Sequence, residues 1–316
     1  ADLSNSDFSR ADMNHATIVE SNLSRGRFNG ANLESVDFTD SRLSMAVFFE
    51  ANFKNANLNR ALVKGAKLAG GTFENTSLPR ADITGADLTD AKFMNSNLSR
   101  AKLNGAILRR TDLKGSDLSE ADLSIADLTG ASLTGVKLIG ANMERIKLNQ
   151  AKLPGALLCG AKMNKAKLAQ VDLSKADLSG ANLTGADLTE SNLQDCDLSR
   201  ANLTDAILQK ANLKSTYLIG ANLQKTDLTE VNLEGANIAG GKLGKANCQK
   251  ANMKNVNLQR SDLEHADFTQ ADLTGSNLTG SKLGDAHFKN SNLTGADLSL
   301  TDTTDTDFSD AKGYNS

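Results

Sequence analysis

The chain holds one five-residue register from its first residue almost to its last, and few folds can accept that. With the five slots numbered from Ala1, slot three falls at residues 3, 8, 13 and onward to 313, and 61 of these 63 positions are apolar. Only Thr303 and Gly313 break the rule. Slot one is small, most often Ala. A helix repeats every 3.6 residues and a strand every 2, so two buried positions in every five suit neither. A chain that turns at fixed short intervals does suit them: its coils stack, and each covers the apolar face of the next. The second, fourth and fifth slots are left to face water.

The phenylalanines give the length of one lap. Ten of the eleven sit in slot three, and nine of those fall into columns at spacing 20: Phe8, Phe28 and Phe48; Phe53, Phe73 and Phe93; Phe268, Phe288 and Phe308. Six pairs lie 20 apart, whereas spacings of 5, 10 and 15 hold one, two and one. Aromatic rings prefer ring neighbours at contact distance, so the spacing predicts four repeats per lap, with these nine as core columns. Glycine and proline mark the corners. Of 25 glycines, 19 occupy slot five, where a tight turn can need positive φ. Pro79 and Pro154 both occupy slot four, which fits a corner that needs no ladder N–H.

The recurring A(D/N)LXX repeat, as in Ala181-Asn182-Leu183-Thr184-Gly185, resembles the pentapeptide-repeat family along the whole chain. That resemblance implies an all-β fold: a right-handed quadrilateral parallel β-helix, a solenoid of about 20 residues per coil and roughly 15–16 coils. At about 4.8 Å per layer, such a rod is roughly 75 Å long. The unbroken register predicts a single continuous domain over residues 1–316. The resemblance also carries a functional alternative, because family members of the quinolone-resistance type imitate a DNA duplex in shape and charge and engage DNA gyrase. Several of those members carry inserted loops, which this chain lacks. Mimicry also calls for long acidic tracks, whereas one slot-two column here alternates: Asp82, Lys102, Asp122, Asn142, Lys162.

Charge and reactive residues exclude more than they suggest. The net charge is −3, from 35 basic and 38 acidic residues, with the acidic excess at the two ends. Lys137, Arg145, Lys147, Lys152, Lys162, Lys165 and Lys167 gather in the middle against Glu144. No aromatic residues interleave them for base stacking, so a solvated face is the expectation and no nucleic acid is an expected partner. His15, His265 and His287 show no metal-ligand or catalytic spacing. Cys196 and Cys248 occupy core slots and Cys159 the surface, an odd set without CxxC that suggests neither disulfides nor a metal. No catalytic, cofactor-binding or metal residue is assigned, and no enzyme activity or cofactor is expected. No apolar run reaches the ~18 residues of a membrane span, and no signal peptide is evident. The compartment stays open, with a lean to the cytoplasm. The chain opens in register without a Met, which leaves room for an upstream segment.

What remains is surface. Met45, Val47, Phe49 and Leu62 occupy normally polar slots, as do Tyr217 and Ile219. Scattered surface apolars are ordinary, but a cluster marks a candidate partner contact. Two slot-two columns, Asn182, Asn202, Asn222 and Asn192, Asn212, Asn232, Asn252, are expected to form amide ladders along the stack. An uncapped coil exposes apolar interior and strand edges. The expected partner is therefore another protein, or a flanking segment, covering the coil ends; end-to-end association of copies is the other route. The degenerate last coil reads as a partial cap or a truncation. The function these features describe is a non-catalytic rigid rod that serves as a protein-interaction or scaffold module.

Overall fold

The computed structural model describes residues 1–314. Its smallest element is a turn. The slot-one N–H donates to the slot-three carbonyl of the repeat before it, as Ala11 N does to Phe8 O at 3.0 Å. The third residue of that four-residue turn sits in slot five, where a type II turn requires positive φ. Every slot-five residue from Asn5 to Asp310 obeys, between 51° and 71°. Glycine is frequent there, yet arginine, lysine, Met45 and Ile125 take the same angle.

Slots one to three are extended, and slot two pairs in parallel with the coils on either side. Asp82, for example, bridges to Leu62 and to Lys102. Slot-two and slot-three N–H groups bind opposite neighbours: Lys102 N reaches Ala81 O at 2.9 Å and Leu103 N reaches Asp122 O at 2.7 Å. Slot five follows the same rule, with Arg100 N at 2.9 Å from Ser119 O.

That leaves one donor per repeat, the slot-four N–H, with no backbone acceptor. A buried or half-buried backbone donor needs one, and slot two supplies it. Every Asp or Asn in slot two accepts the slot-four N–H on its Oδ1, from 2.8 Å at Asp197 to 3.4 Å at Asn252. This side-chain turn is why the second letter of the repeat is Asp or Asn, a role that polarity alone does not reveal. The prolines fit the same account. Pro79 and Pro154 follow Ser77 and Lys152, so the two repeats without a slot-four donor also have no carboxylate or amide acceptor.

The chain falls into two compact units, Ala1–Lys162 and Met163–Ser316. In the first, parallel bridges at spacing twenty run from Asp2↔Asn22 to Asn142↔Lys162 on four sides, giving the right-handed four-sided lap. Side one carries slot-two residues 2, 22, 42 and onward in twenties; sides two, three and four start at 7, 12 and 17. Phe8, Phe28 and Phe48 stack at centroid distances of 5.1 and 4.7 Å, and Phe53, Phe73 and Phe93 at 4.6 and 4.4 Å. All six are buried except Phe8, which is half-buried. Beside the second stack runs a buried hydroxyl column. Thr76, Ser96 and Ser116 donate to the carbonyls of Phe53, Phe73 and Phe93, and the N–H groups of Thr76 and Ser96 donate to the next hydroxyl up. The hydroxyls of this column therefore enter the core with their hydrogen bonds made, whereas those of Ser276 and Ser291 in the second unit are buried without a partner.

The second unit repeats the scheme around leucine. Phe268, Phe288 and Phe308 stack at 4.8 and 5.2 Å, and the ring of Tyr314 extends the column at 3.8 Å from Phe308. The degenerate coil thus covers the last phenyl ring, as a partial cap does. Gly313 breaks the apolar rule for a local reason: its φ is 83°, and a Cβ there would come within 2.7 Å of the Thr294 backbone. Cys196 and Cys248 are buried, while Cys159 is half-buried rather than on the surface. Burial pushes the Cys196 thiol up to about 12 and raises that of Cys248 as well.

Only one of the two expected asparagine ladders forms. On side three, Asn212, Asn232 and Asn252 each donate Nδ2 to the Oδ1 one coil below, at 3.2, 3.2 and 3.0 Å, and Asn192 donates to Asp172 at 3.0 Å. Asn182, Asn202 and Asn222 on side one have no such rungs. There the hydroxyls of Thr184 and Thr204 take the Oδ1 atoms of Asn182 and Asn202, each at 2.6 Å. On side three, slot four holds Gln194, Lys214, Glu234 and Lys254, none with a hydroxyl to compete.

Candidate interaction surfaces

Slot-five side chains stand at corners and lean along the stack onto the neighbouring coil. Between sides one and two of the first unit the corner column reads Met45, Gly65, Gly85, Gly105, Ile125. The Met45 sulfur lies 2.7 Å from where a Gly65 Cβ would be, and Ile125 Cδ1 3.8 Å from that of Gly105; Gly85 faces open space. The corner is therefore a glycine-floored saddle between two apolar posts four coils apart, about 19 Å at β spacing.

The sequence-selected residues of this unit gather at one post. Met45 and Phe49 are 60% and 42% exposed, and Val47 between them is half-buried. Leu62, 38% exposed, precedes by three residues the Gly65 on which Met45 leans. The other post was missed by the sequence reading: Ile125, with Ile107 exposed on side two. The same signal, an apolar side chain in slot two or five, marks both. Tyr217 and Ile219 lie in the second unit, exposed on side four. Ile219 lines a shallow depression of 470 Å³ with Ser179, Gly180, Ser199 and Arg200.

The charges are dispersed. Within the first unit Lys162, Lys147, Lys152 and Lys137 fall on sides one, two, three and four in turn. The basic stretch is thus a belt and not a patch that one flat partner could touch. The acids form no unbroken track, and the least exposed are already engaged. Asp82 lies 3.2 Å from Lys64 Nζ, and Asp127 2.8 Å from Arg109 Nη2. Burial pushes both carboxyls up, but it is outweighed by hydrogen bonds from Thr84 and Lys64 to Asp82, and from Thr129 and Arg109 to Asp127, which hold them below the ordinary 3.8. His265 Nδ1 lies 3.5 Å from Asp285, and His287 stands in slot two between Asp267 and Asp307. Among the described residues no cluster of His, Cys, Asp or Glu is placed to hold a metal ion, and no helix is long and apolar enough to cross a membrane.

A family model described as pentapeptide repeats (8 copies) matches the chain in contiguous and overlapping segments from residue 1 to residue 310. No curated protein matches it. Among solved structures it is similar to HetL, a pentapeptide repeat protein involved in heterocyst differentiation regulation from the cyanobacterium Nostoc sp. strain PCC 7120. The two are 31% identical over 73% of this chain and 90% of HetL, with a TM-score of 0.31. A pentapeptide repeat protein from the Arabidopsis thaliana thylakoid lumen is 32% identical over 33% of this chain and 68% of its own, with a TM-score of 0.21. QnrB1, a plasmid-mediated fluoroquinolone resistance protein, is 21% identical over 57% and 88% respectively, with a TM-score of 0.28.

Proposed function

Since this chain belongs to the pentapeptide-repeat family, we propose that it is a non-catalytic scaffold that binds another protein at the corner between sides one and two of its first unit. One observation carries the reading: the saddle of Gly65, Gly85 and Gly105 between exposed apolar posts at Met45 and Ile125. Clustered apolar side chains on a polar surface mark contact sites. These stand on turns pinned by a hydrogen bond in every repeat, so ordering them on binding costs little entropy. The alternation of Asp82, Lys102 and Asp122 gives no support to gyrase-directed DNA mimicry, and no protection is expected in a gyrase supercoiling assay under quinolone.

The docking reading is tested by photo-crosslinking in cells, with p-benzoylphenylalanine at position 49 and, as control, at position 189. The expected result is a discrete protein adduct with the probe at 49 and another with the probe at 47, the latter disappearing in the triple variant M45S/F49S/L62S. Equal labelling at 49 and 189, or no adduct at 49, overturns it. The same proposal takes residues 1–316 as one continuous scaffold. Calorimetry then gives a single unfolding transition, and two resolved transitions divided near residue 162 contradict it.

A further inference from the structure

The corner between sides four and one of the first unit carries a column unlike any other in the molecule: Glu20, Asp40, Arg60, Arg80, Arg100, Glu120. Several corner arginines elsewhere have glycine as their neighbour on the next coil, as at Arg10 and Gly30, Arg200 and Gly220, or Arg260 and Gly280, and the stem lies over that glycine; none has an arginine there. Here three arginines occupy consecutive coils, and like charges on adjacent strands repel. The outer two are neutralised from outside the triplet. Arg60 forks onto Asp40, with Nε 2.7 Å from Oδ1, and Arg100 forks onto Glu120 at 2.8 and 3.0 Å. Arg80 stands between them, exposed, and among the described residues no carboxylate forms an ion pair with it.

The surroundings of Arg80 give room for a ligand. Asn59, Pro79, Ser99 and Ser119 in slot four are short, and with the arginines and Glu120 they line a groove of 370 Å³. Asp40 and Glu120 each pair with one of the three guanidinium groups and Glu20 pairs with none, so Arg80 alone is left without a carboxylate of its own. Guanidinium groups match carboxylates and phosphates by paired hydrogen bonds. A single charge is what a carboxylate brings, whereas a phosphate dianion overshoots. Asp40 and Glu20 at one end and Glu120 at the other limit the positive stretch to three coils, which rejects a long polyanion such as a nucleic acid. On side one the column adjoins Leu62, two residues beyond Arg60, and so borders the apolar post already described.

We propose that the Arg60–Arg80–Arg100 groove is a carboxylate-binding site, in which Arg80 takes an acidic side chain of the partner protein. The inference rests on the docking reading above and adds the chemistry of the partner: an aspartate or glutamate flanked by apolar residues. The partner's carboxylate gives Arg80 the forked counter-ion that Arg60 finds in Asp40 and Arg100 in Glu120.

The test is a titration of the full ¹⁵N-labelled chain at low ionic strength, reading the arginine Nε–Hε signals, with the capped tripeptide acetyl-Gly-Glu-Gly-amide as probe. The Arg80 signal is expected to move saturably and further than those of Arg10 and Arg200, the isolated corner arginines. R80Q is expected to weaken binding about tenfold or more, the effect of losing a charge-assisted forked contact. R80K, which keeps the charge and loses the fork, falls between. An Arg80 signal that moves no further than that of Arg10 overturns the site. So does an equal response to the Gln-containing tripeptide, and inorganic phosphate binding more tightly than the glutamyl probe overturns the carboxylate assignment. A silent Arg80 alongside an adduct at position 49 removes this inference and leaves the docking reading standing. A responsive Arg80 without the adduct does the reverse.

Discussion

Residues 41–120 and residues 181–260 run along the same backbone and present different molecules to the solvent. Phe73 N lies 2.6 Å from Lys92 O in the first stretch, and Leu213 N lies 2.7 Å from Asn232 O in the second. The first sets a stack of phenyl rings, Phe53, Phe73 and Phe93, into its core and has unlike corners outside, arginines on one and glycines beside the Met45 post on another. The second fills its core with leucine and dresses side three with an amide ladder. The difference teaches that the backbone asks for little: a bulky apolar in slot three, a small residue in slot one, an acceptor in slot two and tolerance of positive φ in slot five. Everything else can vary column by column, at spacing twenty, without disturbing the ladder. Recognition belongs to the columns that depart from the repeat.

The sharpest break in that comparison lies in the core. Phe73→Ala removes the middle ring of a buried stack and is expected to cost about 4 kcal/mol, read as a lowered urea midpoint. Phe73→Leu, which imports the filling of the second stretch, recovers most of it. Next comes the slot-two acceptor. Asp127→Ala takes the partner from the Thr129 N–H and from Arg109, and is expected to cost about 2 kcal/mol. Smaller is the contrast between the two asparagine columns. Asn212→Asp loses the donor to Asn192 and is expected to cost about 1 kcal/mol. Asn202→Asp has no rung to lose and should stay within about 0.5 kcal/mol. An equal cost at the two positions removes the distinction between the columns.

The smallest effect is in pH. Asp82 and Asp127 are held below their ordinary 3.8 in the folded state. A depressed carboxyl binds its proton more readily when unfolded. Its contribution is therefore complete above the unfolded value and is lost as pH falls through the folded one. The melting temperature should be level from pH 7 to about 5 and fall below about 4, less steeply in the double variant D82N/D127N. A melting temperature that rises on acidification reverses the sign and the assignment.

The lap and the core were legible because both are matters of size repeated at fixed spacing. Phe53, Phe73 and Phe93 stack as the spacing of twenty requires. The role of Asp and Asn in slot two was not legible, since an outward polar residue looks solvated until the bare slot-four N–H beside it is counted. The missing ladder at Asn182 was not legible either: Thr184 takes the Asn182 oxygen, yet Asn57 still donates to Asp37 although Thr39 takes that oxygen too. The basic stretch reads as a solvated face from the sequence, but its spread over four sides does not, because Lys137, Lys147, Lys152 and Lys162 are close in number and the turns carry them apart. The arginine corner escaped for the converse reason: Arg60, Arg80 and Arg100 are far apart in sequence and adjacent only across coils.

The central claim is that four N–H groups of each repeat are bound by backbone and the fifth, in slot four, by the slot-two side chain. Residue-resolved amide hydrogen exchange tests it most directly. The account predicts protection that dips at every fifth residue. The dip is shallow where slot two is Asp or Asn, as at Ser99 and Ser119, and deep where it is lysine, as at Ala69, Met94 and Asn104. Slot-four amides above lysine that exchange as slowly as their neighbours in the other slots would contradict it.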